Sequence, residues 1–165
     1  MTAVADSISM ERAAQDEQQY LTFIMAGEEY GVDILAVQEI RGWEQSTVIP
    51  NAPDYIKGVI NLRGTIVPIM DLRARFGLAR VEYSPVTVVI ILKVDGQHGE
   101  RVMGIVVDAV SDVYTIAEGT TRRAPELSED NNSVFIKGLV NVNDKMVILL
   151  DVASLLSIPG RMTDI

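Results

Sequence analysis

The chain has 165 residues, close to the size of one domain, and is 48% hydrophobic but only 5% aromatic, so its interior is built mainly from Val, Ile and Leu, which suits strands. A formal net charge of -9 argues against a nucleic-acid surface and against steering to anionic membranes, and the absence of cysteine excludes disulfides, thiolate metal sites and a thiol nucleophile.

MTAVADSISMERAAQDEQQ lacks the basic start and apolar run of a secretory signal, so residues 1–18 read as a polar tail. YLTFIMA, GEE and YGVDI then read as a hairpin of two alternating strands. In DILAVQEIRGW, Ile34, Val37 and Ile40 lie three apart, which predicts one or two helical turns with an apolar stripe. IPNAPDY is an irregular connection, YIKGVINLRGTIVPIMDL a second hairpin, and DLRARFG a short helix capped by Asp71 and stopped near Gly77.

VTVVIILKV is a strand, too short to cross a bilayer as a helix, which needs roughly 20 apolar residues. DGQHGE turns the chain into RVMGIVVD, a polar connection runs from Glu118 to Ser133, and FIKGLVNVNDKMVILLDV closes the series as a further hairpin. These features predict a soluble, cytoplasmic protein.

Two phrases recur. GIVVDAVSDV repeats GVDILAVQEI at an offset of 73, and the segment from Phe135 repeats that from Tyr55 at an offset of 80, with Ile56, Lys57, Gly58, Asn61, Val67 and Asp71 identical to their partners. Recurrence in the same order predicts two related β units, each too small for an ample core of its own, packed against one another. Short strands with tight turns close most economically into small barrels. The expected domain spans 19–158, with subdomains at 19–83 and 84–158, room for exchange of elements between them, and a second tail at 159–165.

Comparing the copies separates candidate sites from scaffold. Gly58 and Gly138 follow the same Lys and mark a bulge, a barrel corner or a close backbone approach, while Asp71 and Asp151 precede helical patterns as N-caps. The second copy turns on Asn143-Asp144; the first has Arg63-Gly64, where Gly64 supplies positive φ but nothing in a turn calls for arginine. Arg63 is thus either a solvated turn residue or a rigidly presented guanidinium for a partner's carboxylate or carbonyl. Glu39, flanked by Asp33 and Arg41, is placed to pair with a nearby arginine.

The sequence offers little reactive chemistry. His98, the only histidine, lies in the hydrophilic turn DGQHGE, and no phosphate-binding loop, nucleophile elbow or calcium loop is present. No cofactor or metal is expected. A binding module remains, with a small-molecule-binding barrel or an enzyme using dispersed carboxylates as the alternative.

Taken together, VDILAVQEIRGW, PDYIKGVINLRGTIVPIMDLR and VMGIVVDAVSDV resemble the CheW-type coupling proteins of bacterial chemotaxis, over roughly Gln19 to Ser157. The resemblance implies a mostly β fold of two intertwined five-stranded SH3-like barrels with a few short helices. It further implies a non-catalytic adaptor joining the cytoplasmic tip of a chemoreceptor to the regulatory domain of the histidine kinase CheA, in membrane-associated arrays and in rings of alternating partners. On the motif match, Val37, Glu39, Arg63, Val88 and Val113 are the receptor contacts, and Ile56, Lys57 and Gly58 belong to the kinase side. Gly64 then serves to present Arg63. Asn143-Asp144 departs from the pattern, so no receptor role is carried to the second copy.

Overall fold

A computed structural model describes residues 17–79, 81–96, 99–117, 119–123 and 135–157. The tails up to residue 16 and beyond 157, the turn residue His98 and most of the polar connection before Phe135 lie outside the described residues. Among the described residues ten strands form: β1 (Glu17–Met25), β2 (Glu28–Asp33), β3 (Val37–Gly42), β4 (Ile56–Leu62), β5 (Thr65–Asp71), β6 (Val88–Gly96), β7 (Gly99–Val107), β8 (Ala109–Ala117), β9 (Ile136–Val142) and β10 (Lys145–Leu150). Two four-residue helices, α1 (Leu72–Arg75) and α2 (Val152–Leu155), follow β5 and β10.

The strands make two five-stranded sheets, ordered β8-β1-β2-β10-β9 and β3-β6-β7-β5-β4. Each closes on itself in the same way. Beyond β3, Thr47 exchanges two backbone hydrogen bonds with Val59 of β4 (2.9 and 2.8 Å); beyond β8, Arg122 does the same with Leu139 of β9 (both 2.7 Å). These bridges join opposite edges of each sheet and produce two barrels, which removes the exposed edges that invite aggregation.

The repeat is visible in the pairing, and it is exchanged. β2 runs parallel to β10 with Gly31 opposite Leu149, and β7 runs parallel to β5 with Gly104 opposite Ile69. Thus the first hairpin completes the barrel of the last hairpin, and each sheet takes strands from both sides of the 83/84 boundary.

The largest core lies between the barrels. It combines Leu21, Phe23, Met25 and Val32 of one sheet with Ile90, Leu92, Met103, Ile105 and Val107 of the other, together with Phe135 and Leu155. Val89 and Ile91, which alternate with Ile90 and Leu92 along β6, point instead into their own barrel with Leu62, Val67, Ile69 and Val106. β6 is therefore buried on both faces, which accounts for its unbroken aliphatic run.

The helical stripe expected over Ile34 to Ile40 is not what forms. Ile34–Ala36 make a single 3-10 turn, capped by Asp33 accepting from the Leu35 amide at 2.9 Å, and the chain then enters β3. A bulge at Gln38, between Val37 and Glu39, shifts the register against β6, and Ile40 faces outward, 44% exposed. Apolar residues three apart therefore straddle a turn and a bulge, a geometry that period counting cannot distinguish from a helix.

Candidate functional site

The β4–β5 connection is a two-residue turn with both positions left-handed: Arg63 at φ 50 and Gly64 at φ 89. The Asn61 side-chain oxygen accepts from the Gly64 amide at 2.8 Å and fixes the loop. The equivalent turn holds Asn143 at φ 52 and Asp144 at φ 65. Asn and Asp tolerate this region of conformational space; an arginine is strained there.

Arg63 projects from that turn 74% exposed, and its Nη2 donates to Glu39 Oε2 at 3.0 Å. Glu39 stands on β3, opposite Ile91 of β6, and alternation puts Arg41, opposite Val89, on the same face. Arg41 takes the other oxygen, Nη1 to Oε1 at 3.3 Å, and its Nη2 reaches Glu44 at 3.3 Å. The bond from Arg63 holds the Glu39 carboxyl below the usual carboxylate range against a rise from partial burial, and the charge of Arg63 with the bond and charge of Arg41 adds to the lowering.

Beside this ion chain a shallow recess is lined by Arg41, Trp43, Glu44, Ile60, Ile69 and Val89. Trp43 meets Tyr83 edge to face, with centroids 4.5 Å apart. Arg41, Trp43 and Glu44 were not singled out as site residues from sequence. Reading VQEIRG as a strand rather than a helical turn would have put Arg41 beside Glu39 at a spacing of two.

The other expected receptor contacts are distributed. Val37 and Val88, on the adjacent strands β3 and β6, are half-buried against the interbarrel core. Val113 is on β8, in the other sheet, opposite Leu21 and 45% exposed. The structure thus links Glu39 directly to Arg63, with Val37 across the Gln38 bulge and turned toward the interbarrel core, whereas Val113 belongs to the other barrel.

Of the three residues expected on the kinase side, Ile56 and Gly58 are buried and only Lys57 carries an outward side chain, its ammonium 5.6 Å from the centre of the Tyr83 ring. Gly58, at φ 144, sits where the barrel closes: a Cβ there would collide with the Thr47 carbonyl oxygen and lie 2.8 Å from Ser46 Oγ. Ser46 Oγ in turn donates to the Lys57 carbonyl at 3.0 Å. Gly138 occupies the matching place, where a Cβ would meet the Thr121 methyl and lie 2.9 Å from the Arg122 carbonyl oxygen. Lys137 likewise lies over Tyr20, 5.4 Å from the ring centre, and donates to its hydroxyl at 2.9 Å.

Asp71 and Asp151 cap α1 and α2, accepting from the Ala74 and Ser154 amides at 3.3 Å. Asp71 also accepts from the Tyr83 hydroxyl at 2.7 Å, tying the cap to the segment before β6. Among the described residues no group of three or more His, Asp or Glu is placed to hold a metal ion, and no helix is long and apolar enough to cross a membrane.

Comparison with known proteins adds a second line of argument. Residues 19–159 match the family model described as a CheW-like domain. The chain is 50% identical over 140 residues to the chemotaxis protein CheW of Klebsiella aerogenes, covering 85% of this chain and 82% of that one. It is 34% identical to a probable chemotaxis protein CheW of Rhizobium etli, covering 92% and 95%. The crystal structure of the scaffolding protein TtCheW from Thermoanaerobacter tengcongensis superposes with a TM-score of 0.76 at 33% identity, covering 87% of this chain and 90% of that one.

Proposed function

The chain belongs to the CheW-like family of chemotaxis proteins, and from that premise we propose that it is a non-catalytic adaptor coupling a chemoreceptor to the histidine kinase CheA. In this reading it sits on the cytoplasmic side at membrane-associated receptor arrays. It transmits receptor state by binding both partners at once, so that a receptor conformation with higher affinity for the assembly shifts the kinase population.

The observation that carries this reading is Arg63. A guanidinium that is 74% exposed, mounted on a rigid two-residue turn and hydrogen-bonded among the described residues to Glu39 alone, is built to be met from outside. Val37 and Val88 contribute apolar surface on the same barrel, and Val113 on the other, so a receptor helical hairpin lying between the barrels touches both. On the kinase side, Lys57 offers the accessible side chain, while Ile56 and Gly58 shape the barrel wall that supports it. Pairing of barrel ends with the similar domain of the kinase extends the contacts into rings.

The test is reconstitution of receptor, adaptor and kinase with Arg63→Asp. The variant folds, binds a receptor fragment at least tenfold more weakly than the wild type and fails to activate the kinase. A well-folded Arg63→Asp protein that couples like the wild type removes the site.

A further inference from the structure

Four charges lie in a chain along one rim of the second barrel, in the order Glu44, Arg41, Glu39, Arg63. Two carboxylates balance two guanidiniums. The ends are open, at 74% exposure for Arg63 and 65% for Glu44, and the middle is screened, at 26% for Glu39 and 30% for Arg41. Each oxygen of Glu39 has its own arginine: Arg63 on Oε2 and Arg41 on Oε1.

The two arginines are not equivalent. Arg41 stands on a paired strand, its stem lines the recess with Trp43, Ile60, Ile69 and Val89, and its second nitrogen is engaged by Glu44. Arg63 stands on a turn, with one bond to the chain and the rest of its fork outward. An exposed ion pair of this kind returns less stability than a left-handed arginine costs, so the Arg63–Glu39 pair is not there to hold the fold.

If Arg63 turns to a carboxylate on an incoming partner, Glu39 loses its partner on Oε2. A half-screened carboxylate would then face a second negative group across the new interface, a like-charge juxtaposition that opposes binding. Arg41 prevents this because it stays on Oε1 whatever Arg63 does. We propose that Arg41 is the positioning residue of this site: it keeps Glu39 compensated so that Arg63 can pass to an acidic side chain on the partner. The inference deepens the receptor reading above and rests on it.

The test is a double-mutant cycle on the full chain. A soluble cytoplasmic chemoreceptor fragment is titrated calorimetrically against wild type, Arg41→Met, Glu39→Gln, the double variant and Arg63→Asp, while the Glu39 carboxyl is titrated by carbon NMR without partner. Arg41→Met weakens binding roughly fivefold, adds nothing once Glu39→Gln is present, and raises the pH at which Glu39 protonates. Arg41→Lys stays within about twofold of the wild type, since one ammonium still reaches Oε1.

A loss from Arg41→Met that persists undiminished on the Glu39→Gln background overturns the proposal, because Arg41 then acts on the partner or the fold directly. So does an unchanged Glu39 titration. Wild-type binding by Arg41→Met beside weakened binding by Arg63→Asp overturns the positioning role and leaves the receptor reading standing; wild-type binding by Arg63→Asp brings down both. Should Arg41→Met fail to fold, Arg41→Gln replaces it in the cycle with the same expectations.

Discussion

Arg63 is held at φ 50 in a turn whose first position favours Asn or Gly, and its counterpart in the other barrel is Asn143 at φ 52. Copying that residue back tests whether local stability and binding oppose one another. Arg63→Asn relieves the left-handed penalty and raises stability by about 0.5–1 kcal/mol in chemical denaturation, while receptor engagement falls. The glycines separate two kinds of constraint. Gly64 has positive φ with nothing within 4 Å of an added Cβ, whereas Gly58 has positive φ and the Thr47 carbonyl in the way. Gly64→Ala therefore costs about 1 kcal/mol, and Gly58→Ala costs roughly 2–3 kcal/mol because the closing bridge has to shift. Equal losses for the two in thermal unfolding would show that steric closure at Thr47 adds nothing to conformation. The recurrence of the Lys-Gly pair pointed to a bulge, a corner or a close approach at both sites. Which of these applies depends on Thr47 and Arg122, and neither lies within a recurring phrase.

At the scale of elements, the crossing from β7 to β8 is pinned by a side-chain clamp, whereas the crossing from β2 to β3 is held by Ile34 and Ala36 packing on the interbarrel core. Arg73 of α1 donates from Nε and Nη2 to the two oxygens of Asp108, at 2.8 and 2.6 Å, and from Nη1 to the Ala79 carbonyl at 2.9 Å. Asp108 also accepts from the Ala26 amide at 2.9 Å, so a single carboxylate ties α1 to the tip of the β1–β2 hairpin. At the other crossing Leu35 is 89% exposed. The Arg73 bond, the Ala26 amide and the Arg73 charge hold the Asp108 carboxyl below its ordinary range, against a rise from partial burial. A folded pKa below the unfolded one means that this contribution is present above the unfolded value, near pH 4, and is lost as the pH falls through the folded value. Asp108→Asn lowers stability at pH 7 by about 2 kcal/mol and flattens its decline below pH 4. Parallel acid-unfolding curves for variant and wild type would dismiss the clamp. None of this was legible in sequence, because Arg73 and Asp108 lie 35 residues apart in different phrases and have no charged counterparts in the other repeat. The hairpins and both helix caps were legible, since alternation, turn residues and a capping aspartate are local signals. The stretch from Ile34 to Ile40 misled for the same reason: its local period is genuine, and only the pairing of β3 with β6 decides its meaning.

For the molecule as a whole, the recurring phrases announced two β units but not which strands share a barrel. Gly31 and Gly104 are equivalent by the repeat, as are Ile69 and Leu149, so either hairpin could have packed on either partner without changing the local pattern. The exchanged arrangement has an energetic consequence. Among the described residues the core between the barrels contains 18 buried residues drawn from both sheets, against six and five in the clusters within the barrels, so neither barrel retains most of its burial alone. They should unfold together and, when a partner pulls on one, move as one body, which suits an adaptor that relays position through rigid attachment. Leu92, fully buried in the shared core, and Val67, fully buried inside the second barrel, distinguish the two regions. Leu92→Ala costs about 2–5 kcal/mol and lowers amide protection in β1, β2 and β10 as much as in β6 and β7, although β1, β2 and β10 all belong to the other sheet. Val67→Ala costs less and its added sub-global opening stays in β3 to β7. If β10 amides kept wild-type protection in Leu92→Ala while β6 lost it, the barrels would be separable units, and rigid transmission between their ends would no longer follow from the fold.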